Sequence, residues 1–371
     1  MLSTFCSPSR YTQGPNATQF LGQEMAALGL QGPALIAASR TPIALLSETW
    51  AKSLPDAGFV YQVLCLGGES SVAEIERVKA EGCRQQARVI VGVGGGKSLD
   101  VARAAAADLK LPVVNCPTVA SSDAPCSALS VVYTGDGLFV ELRIYRRNPD
   151  LVLVDTQVIA GSPPRLLVAG MGDALATWFE AKTCVEGGIP NMRGGASTRC
   201  ALALAELCYR TLLDDGADAL AALRTKSVTP GLERIVEANT LLSGIGFESS
   251  GLAASHAVHN GLTAVAETRP YLHGEKVAFG VLVQLVLEHQ SQSVMEEVLH
   301  FSTSIGLPVT LAEIGLGEMT PDMLDRVAVR STARGESIHN EPFEVHPRMV
   351  ADAICATDAI GRDWQRSLRV H

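Results

Sequence analysis

The chain has 371 residues, with 30 Lys and Arg against 39 Asp and Glu, and 47% of its residues are apolar. This length suggests two domains, and the apolar share excludes a generally disordered chain. The net charge of −9 argues against nucleic acid or an anionic membrane surface as the main partner.

In chain order, the first half alternates strand-like and helix-like segments. Ala34–Ala38 reads as a strand, and Pro42–Leu54 as a helix with Pro suited to its first turn. Phe59–Leu66 reads as a strand, and Ser70–Lys79 as a helix whose Ser70, Ser71 and Glu74 resemble an N-terminal cap. Arg88–Val93 is a buried-type strand, Leu99–Leu109 a helix, and Pro112–Asn115 begins a further strand. Val131–Tyr133 and Val140–Ile144 flank Gly135-Asp136-Gly137, a hairpin pattern, and Leu151–Val154 is one more strand. Apolar strands alternating with helices imply a parallel sheet covered on both faces. After about residue 160 the pattern becomes helical, best in Leu166–Thr183, Ser197–Leu213, Leu232–Ile245, Glu275–His289 and Met295–Ile305. The expected division is therefore an α/β domain over 1–160 and an all-helical domain over 161–371.

No segment approaches the ~20 apolar residues of a membrane span; the longest, Val277–Leu287, contains Gln284. The N-terminus lacks a secretory pattern, and the nine cysteines form no CxxC pair. A reduced, cytoplasmic enzyme is the expectation. All eight histidines lie between His256 and His371, so any imidazole-based site must draw on the C-terminal third.

Three patterns carry chemistry. Val91-Gly92-Val93-Gly94-Gly95-Gly96-Lys97-Ser98 follows a strand and precedes a helix. Glycines there admit a phosphate to the backbone, and the helix start offers free N–H groups. The pattern matches neither a P-loop nor a Rossmann fingerprint, and a plain tight turn is the competing reading. Asp173 lies in a small-residue stretch, Gly170-Met171-Gly172-Asp173-Ala174-Leu175. His256 and His259 are one helical turn apart, and His273 precedes a long helix. Singly, a histidine at a helix end is more often structural. Together, one carboxylate and two imidazoles suit a divalent ion with an open position.

The motifs GGGKSLD, PTVASSDAPCSALSVVY, GMGDALATWFEA, GLAASHAVHNGLT and YLHGEKVAFG resemble the glycerol dehydrogenases of the iron-containing (group III) polyol and alcohol dehydrogenase superfamily. The likeness runs from Tyr11-Thr12-Gln13-Gly14 to about His289. It implies a dinucleotide-binding α/β domain, a helical C-terminal domain and an active site in the cleft between them. It also implies Asp173, His256 and His273 as zinc ligands. Gly94, Gly95, Gly96 and Lys97 then hold the cofactor diphosphate, with Asp100 orienting that loop. Thr118, Ser121, Ser127, Leu129 and Tyr133 match positions that line the dinucleotide site, and Asp123 matches a glycerol-contacting acid.

Iron-dependent members carry a histidine four residues after the ligand Asp; Thr177 stands there, which favours Zn2+. The ribose-binding acid expected after the first strand is replaced by Ser39, followed by Arg40. NAD is placed first and NADP stays open, because Ser and Arg accept a 2′-phosphate. The role of His259 is left open between the active site and structure. The implied reaction converts glycerol or a similar diol and NAD to a hydroxyketone and NADH. Two alternatives are an NADPH-dependent 2-oxo acid reductase of the same superfamily and a nucleotide-binding protein without redox chemistry. The partner is expected to be a small polyol, with neither nucleic acid nor membrane. A homo-oligomer is expected, although core packing explains the apolar helices equally well.

Overall fold

The computed structural model describes residues 1–368, so His371 lies outside the described residues. The strands are β1 (Tyr11–Gly14), β2 (Ala34–Ala38), β3 (Tyr61–Cys65), β4 (Val89–Gly94), β5 (Val113–Pro117), β6 (Leu129–Tyr133), β7 (Phe139–Ile144) and β8 (Leu151–Asp155). The α-helices of the first half are α1 (Leu21–Ala27), α2 (Arg40–Asp56), α3 (Val72–Arg84), α4 (Gly96–Leu109) and α5 (Thr156–Ala160). Those of the second half are α6 (Pro164–Glu186), α7 (Arg199–Arg224), α8 (Pro230–Glu237), α9 (Ser243–Ser250), α10 (Ala254–Leu262) and α11 (His273–Leu287). They continue with α12 (Gln292–Ile305), α13 (Pro321–Ser331) and α14 (Pro347–Leu368). Two compact units result. One comprises Cys6–Pro164 and Ala221–Gly244; the other comprises Met1–Phe5, Arg165–Leu220 and the chain from Ile245 onward.

The α/β unit is built on a six-stranded parallel sheet of order β1-β8-β5-β4-β2-β3. Strands β2, β4, β5 and β8 are buried throughout, as apolar runs covered on both faces must be. Ile36, Ala38, Val91 and Val93 meet Leu46, Trp50 and Leu54 of α2 and Leu21 and Met25 of α1. Leu35, Ala37 and Ile90 face the other way, onto Ile75 and Val78 of α3 and Val101, Ala102 and Ala105 of α4. Strand β3 lies on one side of β2 and β4 on the other, so the winding direction reverses between β2 and β4. Ligands of doubly wound sheets sit at the carboxyl ends of the strands flanking such a reversal. β6 and β7 form a separate antiparallel hairpin.

Each strand expected from the apolar pattern is present, shifted by a residue or two at its ends. Strand β1 was not expected. Its sequence, YTQG, carries no apolar alternation, and its extended form is held by pairing with β8. Ser71 accepts from Glu74 N and caps α3, while Glu74 Oε1 accepts from Gly67 N at 2.7 Å. The helix expected over Leu232–Ile245 is interrupted. It runs as α8, a wide π-type turn over Ala238–Leu242, and α9. Asn239 Nδ2 donates to Ala120 O at 2.9 Å across that turn, and residues 221–244 belong to the α/β unit.

In the helical unit, α10, α11, α13 and α14 share an apolar core that includes Val258, Leu262, Phe279, Val283, Val327, Val350 and Ile354. Helices α6 and α11 approach at two glycines. A Cβ on Gly274 would overlap the Ala169 carbonyl oxygen and lie 2.7 Å from its carbon. A Cβ on Gly172 would lie 3.1 Å from the Gly274 carbonyl carbon. Among the described residues, no helix is long and apolar enough to cross a membrane.

Candidate functional site

Asp173 sits mid-helix on α6 and is 1% exposed. His256 lies in the first turn of α10, and His273 is the first residue of α11. The close helix approach brings His273 Nε2 to 3.0 Å from Asp173 Oδ1, with His256 Nε2 at 3.5 Å from the same oxygen. One ligand atom from each residue falls within 4.8 Å of the others, a grouping that could hold a metal ion. His273 is the exposed member of the three, so the cluster has an open side.

The ring nitrogens facing away from the cluster are also engaged. His256 Nδ1 is 2.6 Å from Glu180 Oε2. Glu180 Oε1 accepts from Ala253 N at 2.8 Å and from His256 N at 2.9 Å, so one buried carboxylate caps α10 and orients its imidazole. His273 Nδ1 is 3.0 Å from His259 Nε2. Outer partners of this kind fix the ring orientation and tautomer of metal-binding histidines.

Burial disfavours an imidazolium at His256, but the Glu180 and Asp173 carboxylates outweigh it and raise its pKa well above the ordinary value. Burial likewise opposes a charged Asp173. The two histidines reverse that, and its pKa falls far below the usual carboxylate range. The cavity thus favours a carboxylate facing concentrated positive charge, which is also what a divalent ion supplies. For His259, burial and then the charges of His273, Lys276 and His256 lower the pKa well below normal.

Behind this cluster lies Glu341, 6% exposed, whose Oε1 accepts from Ala254 N at 3.0 Å. Burial, with the Glu288 and Glu180 carboxylates close by, pushes it up from 4.5 to about 9. It therefore keeps its proton when folded and loses it when unfolded across that interval, so stability falls as pH rises from 4.5 towards 9. Glu341→Gln keeps the acceptor for Ala254 N and removes the ionisable group. It should raise stability at pH 7 by up to about 3 kcal/mol and flatten this pH dependence. Urea unfolding of both chains at pH 5 and pH 8 checks this; a variant less stable at pH 8 would contradict it.

In the α/β unit, β4 delivers the chain into Gly94-Gly95-Gly96, at the reversal between β2 and β4. Gly94 has φ +148°, and a Cβ there would lie 2.6 Å from Ser98 Oγ and 3.3 Å from Ser39 Oγ. Ser39 is thus next to the loop at the end of β2. Gly95 caps α4 without a side chain, and Ser98 N donates to Gly95 O at 2.9 Å, which leaves the N–H groups of Gly96 and Lys97 for an anion. Thr118 N donates to Gly94 O at 3.1 Å and ties the end of β5 to the loop. Lys97 is exposed, with Nζ 2.5 Å from Glu69 Oε1.

The remaining expected cofactor residues fall around the hairpin. Leu129 and Tyr133 are the half-buried ends of β6, and Ser121 lies half-buried in the preceding bend. Burial, with Asp100 and Glu69, pushes the Tyr133 phenol up to about 12. Ser127 is fully buried and donates to Ala124 O at 3.4 Å. Asp100 is buried too: it pairs with Arg103 at 3.2 Å and accepts from Val131 N at 3.3 Å. Arg103 also donates to Leu129 O and, at 2.5 Å, to Ala124 O. Asp100 therefore braces the start of β6 against α4. Asp123 is half-buried, and its Oδ2 accepts from Ser243 Oγ at 3.2 Å.

Two contributors were not assigned from sequence. Glu180 stands seven residues after Asp173, two turns along the same helix face, and that spacing was the available signal. His259 was left undecided, and only the fold places it against His273.

Comparisons with known proteins give the family of the chain. Residues 8–156 match the family described as iron-containing alcohol dehydrogenase. Glycerol dehydrogenase of Escherichia coli O6:H1 is 48% identical over 363 residues, covering 97% of this chain and 98% of that protein. Glycolaldehyde reductase of Halobacterium salinarum is 46% identical over 98% of this chain and 99% of its own length. The crystal structure of glycerol dehydrogenase from Schizosaccharomyces pombe superposes with a TM-score of 0.94 at 37% identity, covering 99% of this chain and 93% of that one. The chain belongs to the iron-containing alcohol dehydrogenase family of oxidoreductases, in its glycerol dehydrogenase branch.

Proposed function

We propose that this protein oxidises glycerol, or a closely similar vicinal diol, to the hydroxyketone with NAD as hydride acceptor and Zn2+ as its metal. The observation that carries this reading is the Asp173, His256 and His273 cluster, with a hydrogen-bond partner behind each imidazole. Two imidazoles and one carboxylate are a donor set suited to Zn2+ with an open position. Thr177, buried one turn along α6 from Asp173, leaves the set at three. When bound, the ion would supply Lewis-acid polarisation of the alcohol oxygen, which lowers the pKa of that hydroxyl.

The chain's own residues supply position. Asp173, His256 and His273 would hold the metal, and Glu180 fixes the ring plane of His256. Gly94, Gly95, Gly96 and the free N–H groups of α4 would hold the cofactor diphosphate, with Lys97, Thr118, Ser121, Leu129 and Tyr133 around it. Asp100 serves this site from the interior by holding the β6 segment in place, and Ser127 by fixing the bend at Ala124 before it. Ser39 beside Gly94 offers a hydroxyl where an acid would exclude a 2′-phosphate, so NADP is the second cofactor of this reading. Orientation of the reacting carbon towards the nicotinamide is the main catalytic contribution expected of such a scaffold. A cytoplasmic homo-oligomer belongs to the same reading; sedimentation over a range of concentrations tests the assembly.

Asp123 would hold a substrate hydroxyl, with Ser243 steadying its carboxylate. Losing one hydrogen bond to a charged group costs about 1.5–3 kcal/mol, so Asp123→Ala should lower kcat/KM for glycerol by about 10–100-fold. A simple secondary alcohol should suffer much less. Equal losses on both would remove the polyol role.

A second reading, reduction of a hydroxyaldehyde, is favoured by the near full-length likeness to a glycolaldehyde reductase. A 2-oxo acid reductase is disfavoured by Asp123, whose charge would repel a carboxylate substrate. Absorbance at 340 nm separates these readings when diols, glycolaldehyde and 2-oxo acids are each supplied with NAD(H) or NADP(H). Diol-dependent formation of NADH supports the proposal. Nucleotide binding with no turnover of any substrate would overturn it.

A further inference from the structure

The two histidines of the cluster are oriented by different means. His256 has a carboxylate behind it, which can only accept, so its Nδ1 must be the protonated nitrogen. His273 has another imidazole behind it, and an imidazole can donate or accept through either nitrogen. The direction of that second hydrogen bond must come from further back.

A continuous chain of partners supplies it. Arg330, on α13, pairs with Glu336 Oε1. Glu336 Oε2 is 2.8 Å from Asn260 Nδ2, and a carboxylate has no proton to give, so the amide nitrogen must face it. The amide oxygen of Asn260 is thereby turned to His259 Nδ1, at 3.1 Å. An amide oxygen only accepts, so His259 carries its proton on Nδ1 and presents a lone pair at Nε2. That lone pair lies 3.0 Å from His273 Nδ1, which must then be the donor. His273 Nε2, 3.0 Å from Asp173 Oδ1, is left with its lone pair for a metal. Reversing the Asn260 amide would lose the bond to Glu336, reverse the two bonds made by His259 and put a proton on His273 Nε2, where it would block ligation.

We propose that Asn260 and Glu336, acting through His259, are positioning residues that set which nitrogen of His273 is offered to the metal. This rests on the reading that Asp173, His256 and His273 form a metal site. The side chains of Asn260 and Glu336 are linked to the cluster through His259. They set its hydrogen-bond polarity, much as Glu180 does directly for His256.

The test uses the full chain stripped of metal and titrated with Zn2+ against a competing chelating dye. His256→Ala serves as the control for the site, and thermal melts confirm that each variant is folded. Asn260→Ala and the isosteric Glu336→Gln should each weaken Zn2+ binding by about 10–100-fold, as outer partners of metal-binding histidines do. The double variant His259→Ala/Asn260→Ala should bind no more weakly than His259→Ala alone, because Asn260 acts only through that ring. In histidine 15N spectra of the zinc-loaded protein, both bound imidazoles of the parent chain should be protonated on Nδ1, and one should lose that uniformity in Asn260→Ala. If Asn260→Ala and Glu336→Gln bind Zn2+ as tightly as the parent while His256→Ala does not, this proposal fails and the metal reading stands. If the parent and His256→Ala bind equally poorly, the metal reading fails and takes this proposal with it.

Discussion

Replacing His256 with Ala should abolish both metal retention and turnover. The substitution removes one of the three proposed ligand atoms and leaves the fully buried Glu180 carboxylate without its side-chain partner. Glu180 keeps the backbone N–H of Ala253 and that of residue 256, so α10 should remain capped and the protein should fold. Lewis-acid polarisation is worth several kcal/mol of barrier, so kcat should fall by about 10³-fold or more. Metal analysis after gel filtration, with steady-state kinetics, measures both effects. A folded variant with full zinc content and normal turnover would contradict the assignment.

The second large effect is expected at Gly274, which makes no bond in the reaction. A Cβ there would meet the backbone of Ala169 and lie 3.0 Å from Asp173 N. The obstacle is main chain in the middle of α6, so no side-chain rotation can relieve it. Helix α11 would have to move away from α6 and carry His273 away from Asp173. Overpacking of a tight contact costs about 1–3 kcal/mol, and the upper end applies where backbone must shift. Gly274→Ala should therefore lower stability by about 3 kcal/mol and weaken metal binding together. A chemical denaturation curve and a Zn2+ titration on the same preparation would show the pair of losses. Unchanged metal affinity would mean that the close approach of α6 and α11 does not position the ligands.

The fold class was readable because its strands are short apolar runs bounded by glycine and polar turns. Period and composition suffice for Ala34–Ala38 or Leu151–Asp155, where both faces are buried. They fail at Tyr11–Gly14, where a partner strand imposes the conformation. They fail again at Ala238–Leu242, where an otherwise continuous helical pattern loosens into a wide turn. The cluster of Asp173, His256 and His273 was legible as three motifs. Its approach distance was not, because glycines 172 and 274 state only that something comes near. Glu180 was missed although its spacing from Asp173 is regular, since a carboxylate on an amphipathic helix usually faces solvent. Asp100 was read from the loop motif, and only packing shows it paired with Arg103 inside the protein. The polarity running from Glu336 to His273 has no sequence signature, because it joins residues on separate elements through hydrogen-bond direction alone.

The proposed reaction is a metal-dependent transfer of hydride from a vicinal diol. Its most direct test is the rate of NADH formation at 340 nm with glycerol and NAD, before and after removal of metal by a chelator. Activity should vanish with the metal and return on adding Zn2+ to the parent chain, but not to His256→Ala. Undiminished NADH formation by thoroughly chelated protein would contradict the account at its centre.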